Sequence, residues 1–310
     1  MKILIGYDGS ECADASIDDL KRAGLPEKAE VQILSVAEMW IPPSSSVEAG
    51  DAVEQAVSVN AILKPLYAKA KKAMEETEAL AHKARSRVSA LFPSWTVTAS
   101  ASSGSPAWEL IFVCDSWQPD LVVVGSQGRS AIGRLVLGSV SQVVLTEAQC
   151  SVRVARGRVE DFDTPVRLVV GLDGSPLSEA AVREVAHRSW PANSEVKLVV
   201  VDDSVAAGFV EDYPHMEDAD PGYRSQGWVA KMLSNDVAIL RDKSSLEVTT
   251  ETIEGNPKQE LVRVAEEWGA DCIFVGSAGS SNAMGRFVLG SVAAAVAARA
   301  HCSVEVVRKK

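Results

Sequence analysis

The chain has 310 residues, 46% of them hydrophobic and 24% charged, with a formal net charge of −11. That is the composition of a globular protein with enough length for two domains of roughly 150 residues. No apolar run approaches the roughly 18 residues a bilayer span needs, and an acidic chain without a basic block interleaved with aromatics argues against a nucleic-acid partner.

In chain order, short β-branched runs alternate with longer helical patterns. The first half predicts strands near 2–7, 31–36, 95–101, 120–125 and 151–155, with helices over 11–23, 65–91, 106–117 and 139–148. Such alternation implies parallel strands with crossover helices. Strands apolar on both faces, such as Leu121-Val122-Val123-Val124, belong in the middle of a covered sheet. The helix predicted from Pro65 carries Leu66, Ala70, Ala73, Thr77, Leu80, Ala84, Val88 and Leu91 on one stripe, and proline suits a first helical position. Its basic residues, Lys83 and Arg87 among them, read as a solvated face.

The chain then repeats itself. Ile3-Leu4-Ile5-Gly6-Tyr7-Asp8-Gly9-Ser10 recurs as Leu168-Val169-Val170-Gly171-Leu172-Asp173-Gly174-Ser175, and Cys150-Ser151-Val152-Arg153-Val154 recurs as Cys302-Ser303-Val304-Glu305-Val306. A fixed repeat of this length means duplicated domains, expected at 1–157 and 165–310. Asp8 to Asp173 spans 165 positions and Gly125 to Gly276 spans 151, so the first copy holds 14 more residues between these points, assigned to the segment Ile41 to Leu63. Its Pro42-Pro43-Ser44-Ser45-Ser46 opening reads as an irregular loop.

The five cysteines (Cys12, Cys114, Cys150, Cys272, Cys302) form no C-x-x-C pair and sit in apolar stretches, which predicts buried thiols in a reducing compartment. With a strand beginning at once at Met1 and no room for a signal peptide, the expected location is the cytoplasm. The four histidines are dispersed and offer no metal spacing.

The chemistry concentrates after the fourth strand, where Gly125-Ser126-Gln127-Gly128 is followed by nine residues and then Gly138-Ser139-Val140. In an open parallel sheet, ligands bind beyond the carboxyl ends of the strands where strand order reverses. Glycines there let backbone N–H groups approach an anion, and a following helix N-terminus favours a phosphate. The alternative is that the glycines serve turns and Ser139 only caps the helix. Asp8 and Asp173, in matching Asp-Gly-Ser turns, read either as helix caps, in competition with Ser10 and Ser175, or as ligand contacts.

Gly-x2-Gly-x9-Gly-Ser, an aspartate closing strand one and five alternating strands, recurring in a second copy whose spacing is one residue longer, resemble the universal stress protein family in its tandem form. The resemblance implies an α/β fold of two open-sheet domains, each a five-stranded parallel sheet in the order 3-2-1-4-5 with helices on both faces. It also implies ATP as cofactor, alone or with Mg2+. The adenosine end would rest on Asp8 and the backbone of Val36, with Gly125, Gly128, Gly138 and Ser139 around ribose and phosphates, Arg129 and Val140 adjacent, and Ser141 a further phosphate contact. The second copy offers Asp173, Val201, Gly276, Gly279, Gly290, Ser291 and Val292, but with ten residues between its glycine pairs and Ala293 where Ser141 stands, so a weaker second site is expected. The family resemblance further implies pairing of the halves through Val152–Ala155 and Val304–Val307, an intramolecular pseudo-dimer. Whether two chains then pair as a homodimer is left open.

The leading expectation is therefore a cytosolic ATP-binding stress-response or regulatory protein. No G-x-x-x-x-G-K-[ST] loop is present, so hydrolysis, if any, should be slow. An adenine-nucleotide enzyme is disfavoured by the lack of His or Lys signature motifs. The competing reading is a protein-interaction scaffold whose partner meets the 41–63 segment or the acidic stretch Glu211 to Asp220, near Trp40 and Trp228.

Overall fold

The computed structural model describes residues 1–39, 53–128, 137–156, 164–203, 226–278 and 289–309. In the first half these form β1 (Lys2–Gly6), α1 (Glu11–Asp19), β2 (Glu30–Ala37), α2 (Val53–Leu91), β3 (Thr96–Ser103), α3 (Pro106–Trp117), β4 (Leu121–Gly125), α4 (Ser139–Glu147) and β5 (Ser151–Ala155). The second half runs β6 (Arg167–Leu172), α5 (Pro176–His187), β7 (Glu195–Asp202), α6 (Gln226–Lys243), β8 (Glu247–Glu254), α7 (Pro257–Trp268), β9 (Cys272–Gly276), α8 (Ser291–Arg299) and β10 (Ser303–Val307).

All ten strands belong to one sheet, in the order β3-β2-β1-β4-β5-β10-β9-β6-β7-β8. Read inward from either edge, each half has the predicted 3-2-1-4-5 order. Every pairing is parallel except β5 with β10, which is antiparallel. The strands of the two halves therefore run in opposite directions, and their carboxyl ends lie at opposite ends of the sheet.

Apolar faces decide the layering. Leu4, Val122, Val152 and Val304 share one core with Leu110 of α3, Val144 of α4, Leu261 of α7 and Val296 of α8, so this core crosses the seam between the halves. On the other face two separate cores form, one under α1 and α2 around Ile3, Ile5, Ile17 and Val88, the other under α5 and α6 around Leu168, Val182, Leu240 and Phe274. The edge strands β3 and β8 are partly exposed and rich in Thr, Ser and Glu, which keeps them from templating further strands.

Two sequence expectations need correction. Helix α2 starts at Val53, not at Pro65, so proline lies inside it; the ring forfeits one backbone hydrogen bond, which an otherwise continuous long helix tolerates. Within the predicted stripe Ala70, Thr77, Ala84 and Val88 are buried, but Leu66 is exposed. Arg87 and Lys83 are not simply solvated: Arg87 bonds Asp18 at 2.6 Å and pairs with Asp14 at 3.0 Å, and Lys83 reaches Asp14 at 3.6 Å. They dock α2 on α1. Trp40, the 211–220 stretch and the side chain of Trp228 lie outside the described residues.

Between the two separate cores the seam is ionic. Arg153 and Glu305 stand directly opposite one another on β5 and β10, 1% and 0% exposed, with Nη1 to Oε2 at 3.1 Å. Asp19 at the end of α1 accepts from Arg153 at 2.5 Å and from the Ser303 hydroxyl at 2.6 Å. Arg188, just past α5, bonds both oxygens of Glu305 and also Glu184. Burial alone lowers the Arg153 pKa, but Asp19 and Glu305 outweigh it and the net shift is upward.

Replacing Arg153 by Met should lower stability by about 3–5 kcal/mol, because buried Asp19 loses its arginine partner and Glu305 one of its two; chemical denaturation measures this, and a loss below about 1 kcal/mol would show the network to be solvent-screened. A second expectation concerns Asp236 on α6. Burial, with repulsion from Glu179, raises its pKa from 3.8 to about 6. The folded state then holds the proton more tightly, so this group lowers stability as pH rises through 4 to 6 and the deficit persists above. Asp236→Asn should be neutral near pH 3.5 and more stable than the parent by about 1–3 kcal/mol at pH 7.5.

Candidate functional site

The switch point of the first half lies between β1 and β4, which pair side by side while their chains leave toward β2 and β5. The predicted residues gather at the carboxyl ends of these strands. After β1 the chain turns through Gly9, whose φ of +77° suits glycine. Oδ1 of Asp8 accepts the Ser10 amide at 2.9 Å, and the Ser10 hydroxyl caps α1 by accepting from Ala13 at 3.1 Å. The cap is thus serine, and the aspartate is held beside it with its other oxygen turned across the crevice. That oxygen, Oδ2, lies 3.1 Å from where a Cβ on Gly128 would sit.

The glycines differ in their tasks. A Cβ on Gly125 would press on the Cys12 backbone carbonyl at 3.0 Å, so this glycine lets β4 pass close under α1. A Cβ on Gly138 would meet Gln127 Cα at 3.3 Å, and its amide bonds the Ser126 carbonyl at 2.8 Å. The two halves of the motif are thereby stapled together.

Gly138, with φ −64° and ψ 152°, is the N-cap of α4 and has no side chain to cap with; Ser139 is the first residue inside the helix. Backbone bonding within the helix begins with the Gln142 amide to the Gly138 carbonyl at 2.9 Å. The amides of Ser139, Val140 and Ser141 precede that bond at the positive end of the helix dipole. The alternative reading of Ser139 as the cap of α4 is corrected accordingly. Ser141 is also reassigned: it is 4% exposed, and its hydroxyl donates to the Gly125 carbonyl at 2.6 Å, which uses its single proton on the loop. Val36 lies half-buried near the end of β2, opposite Ser102 of β3. Arg129 and Gly279 lie outside the described residues.

In the second half the frame is reproduced. Oδ1 of Asp173 accepts the Ser175 amide at 2.9 Å, Ser175 caps α5, the Gly290 amide bonds the Ser277 carbonyl at 2.6 Å, and Gly290 is the cap of α8 with Ser291 and Val292 following. Val201 sits on β7 as Val36 does on β2. Two details differ. Asp173 is exposed where Asp8 is half-buried, and Ala293 is buried in the place of Ser141, so the loop lacks that hydroxyl tie.

The profile of the universal stress protein family matches this chain twice, over residues 1–156 and 166–308. The chain belongs to the universal stress protein family. A universal stress protein of Mycolicibacterium smegmatis is 27% identical over 311 residues, covering 99% of this chain and 97% of its own. One from Methanocaldococcus jannaschii is 30% identical over 151 residues, 46% of this chain and 82% of its own. A solved universal stress protein from Archaeoglobus fulgidus superposes with a TM-score of 0.63 at 19% identity, covering 99% of this chain and 96% of that one, which speaks for the shared fold.

For this universal stress protein, sequence reasoning missed Tyr7. Its ring is buried and its hydroxyl donates to Asp14 at 2.7 Å; burial first, then the neighbouring carboxylate, raises its pKa. Leu172 at the matching position of the repeat was the available signal. Ser141→Ala should cost about 1–2 kcal/mol of stability by stripping a buried carbonyl of its donor, with little change in any anion affinity. Unchanged stability with weakened anion binding would return Ser141 to the role of ligand.

Proposed function

We propose that this protein is an ATP-binding stress-response or regulatory protein whose principal nucleotide site is the crevice of the first half. The observation that carries this reading is the paired construction of Gly138: no side chain caps α4 there, while its amide ties the helix start to the Gly125–Gly128 loop. A helix start left without a side-chain cap beside a glycine-lined loop fits a phosphate chain. Asp8, fixed by the Ser10 amide, is placed to accept hydrogen bonds from a ribose or base, and the Val36 backbone borders the same crevice. Asp8, Gly125, Gly128, Arg129, Gly138, Ser139 and Val140 are the assigned contacts. The second crevice takes nucleotide more weakly, through Asp173, Val201, Gly276, Gly279, Gly290, Ser291 and Val292.

Mg2+ would enter with the nucleotide, held by phosphates and water rather than by a protein cage; among the described residues no cluster of three His, Cys, Asp or Glu side chains stands ready for a metal. Function on this reading is occupancy, with hydrolysis slow at most. Residues 1–157 and 165–310 are the two domains. The free thiols, four of them buried, suit a reducing, cytoplasmic setting. Among the described residues no helix is long and apolar enough to cross a membrane.

Calorimetric titration of ATP and Mg2+ into nucleotide-stripped protein tests this, beside Gly128→Val, whose side chain would push on Asp8. Binding that the variant weakens by at least about tenfold, or about 1.4 kcal/mol, is the expected result. No heat and no thermal stabilisation would overturn the nucleotide reading in favour of an interaction scaffold.

A further inference from the structure

The arginines that follow the two central strands cross the seam. Arg308, after β10, donates from Nη2 to the Leu145 carbonyl in the last turn of α4 at 2.5 Å and from Nη1 to the Cys150 carbonyl at 3.2 Å, while its amide bonds the Ser151 hydroxyl at 3.1 Å. Arg156, after β5, does the same in reverse. It donates to the Ala297 carbonyl in α8 at 2.5 Å and the Cys302 carbonyl at 3.4 Å, and its amide bonds the Ser303 hydroxyl at 2.9 Å.

Neither guanidinium has a carboxylate among these partners, and burial lowers both pKa values. One of the carbonyls each faces, Leu145 or Ala297, is at the negative end of a helix, where a cation is favoured. Helix α4 has no basic residue of its own in its last turn, so its C-terminal cation comes from the other half of the chain. Each helix has nine residues, about 13 Å at 1.5 Å per residue. The arginine holds one end while the other carries the N–H groups of the anion crevice. Arg308 also follows Val307, whose carbonyl accepts the amide of Ser277 in the second loop at 2.9 Å. The end of β10 thus touches the second crevice on one side and the helix of the first on the other.

We propose that Arg308 and Arg156 are crossed positioning residues. Arg308 of the second half holds α4 in register for the first crevice, and Arg156 of the first half holds α8 for the second, so that neither site is complete without the opposite half. The positioning of the helices stands independently of the ligand; its effect on nucleotide affinity rests on the reading given under Proposed function.

The test uses the full chain as Arg308→Met, Arg308→Lys and Arg156→Met, each followed by native-state hydrogen exchange without nucleotide and by ATP titration. Arg308→Met should speed exchange of the Gln142–Ala148 amides by about tenfold relative to those of β1 and β6, with the α8 amides changed less than about twofold; Arg156→Met should give the mirror pattern. The ATP site that Gly128→Val weakens should itself weaken about tenfold in Arg308→Met and hardly at all in Arg156→Met. Arg308→Lys, which keeps the charge with fewer donors, should fall between parent and Met, and it carries the same crossed comparison should the Met variant not fold. Uniform loosening of both helices would overturn the proposal, as would loosening of α4 with unchanged ATP affinity at the first site. A parent chain that binds no ATP but shows the crossed exchange pattern removes the nucleotide reading and leaves the positioning intact.

Discussion

The pairing of Arg153 with Glu305 is the constraint on which the rest of the molecule hangs. These two residues occupy the same position of the duplicated sequence, and in the antiparallel register of β5 and β10 they fall opposite each other with Val152 facing Val306 and Val154 facing Val304. An axis relating the halves therefore passes between them. In a pair of identical domains the residue on such an axis meets itself, and a buried ionisable residue there would face its own charge. Duplication within one chain lifts that restriction. One copy is free to carry arginine and the other glutamate, and the seam becomes a salt bridge that neither half can form with its own double.

From that pair the charge pattern spreads outward in alternation, with Asp19 beside Arg153 and Arg188 beside Glu305. Both neighbours come from the helix that follows an Asp-Gly-Ser turn, so the ends of α1 and α5 are fixed to the seam while their starts frame the crevices. On the opposite face the seam is apolar and the core runs through it without interruption. An antiparallel joint also sends the two crevices to opposite ends of the sheet. Any influence between them has to travel through the helices and strands that share the seam.

The repeat made the architecture legible. With the two copies aligned, strand order, pairing through the fifth strands and the position of the glycine motif followed from the family pattern, while the antiparallel direction of that pairing is a finding of the fold. Legibility ended where a residue's role depended on partners distant in sequence. Ser139 reads as a cap because serine favours that position, yet the bend occurs one residue earlier, at Gly138. Ser141 reads as a ligand because it begins a helix at a phosphate loop, but its proton goes to Gly125 across 16 positions of chain. Pro65 reads as a helix start because its local preference is strong, and here the chain is helical well before it. Arg156 and Arg308 occupy matching positions of the repeat, a signal the sequence reading passed over, and only the fold shows that each one contacts the other copy.

The two crevices share a backbone and differ in what surrounds it, and this is the physical ground for ranking them. Both have a glycine cap, an amide tie between loop and helix, and an aspartate fixed by a serine amide. In the first, half-burial of Asp8 lowers the local dielectric, so a hydrogen bond from a ligand hydroxyl to its carboxylate is worth more than the same bond to the exposed Asp173. The first loop is also braced by the Ser141 hydroxyl on the Gly125 carbonyl, whereas the second has Ala293 in that place and one residue more between its glycine pairs. A duplicated frame can therefore present two crevices of unequal strength on one backbone, and the difference lies in a hydroxyl, the exposure of a carboxylate and a single inserted residue.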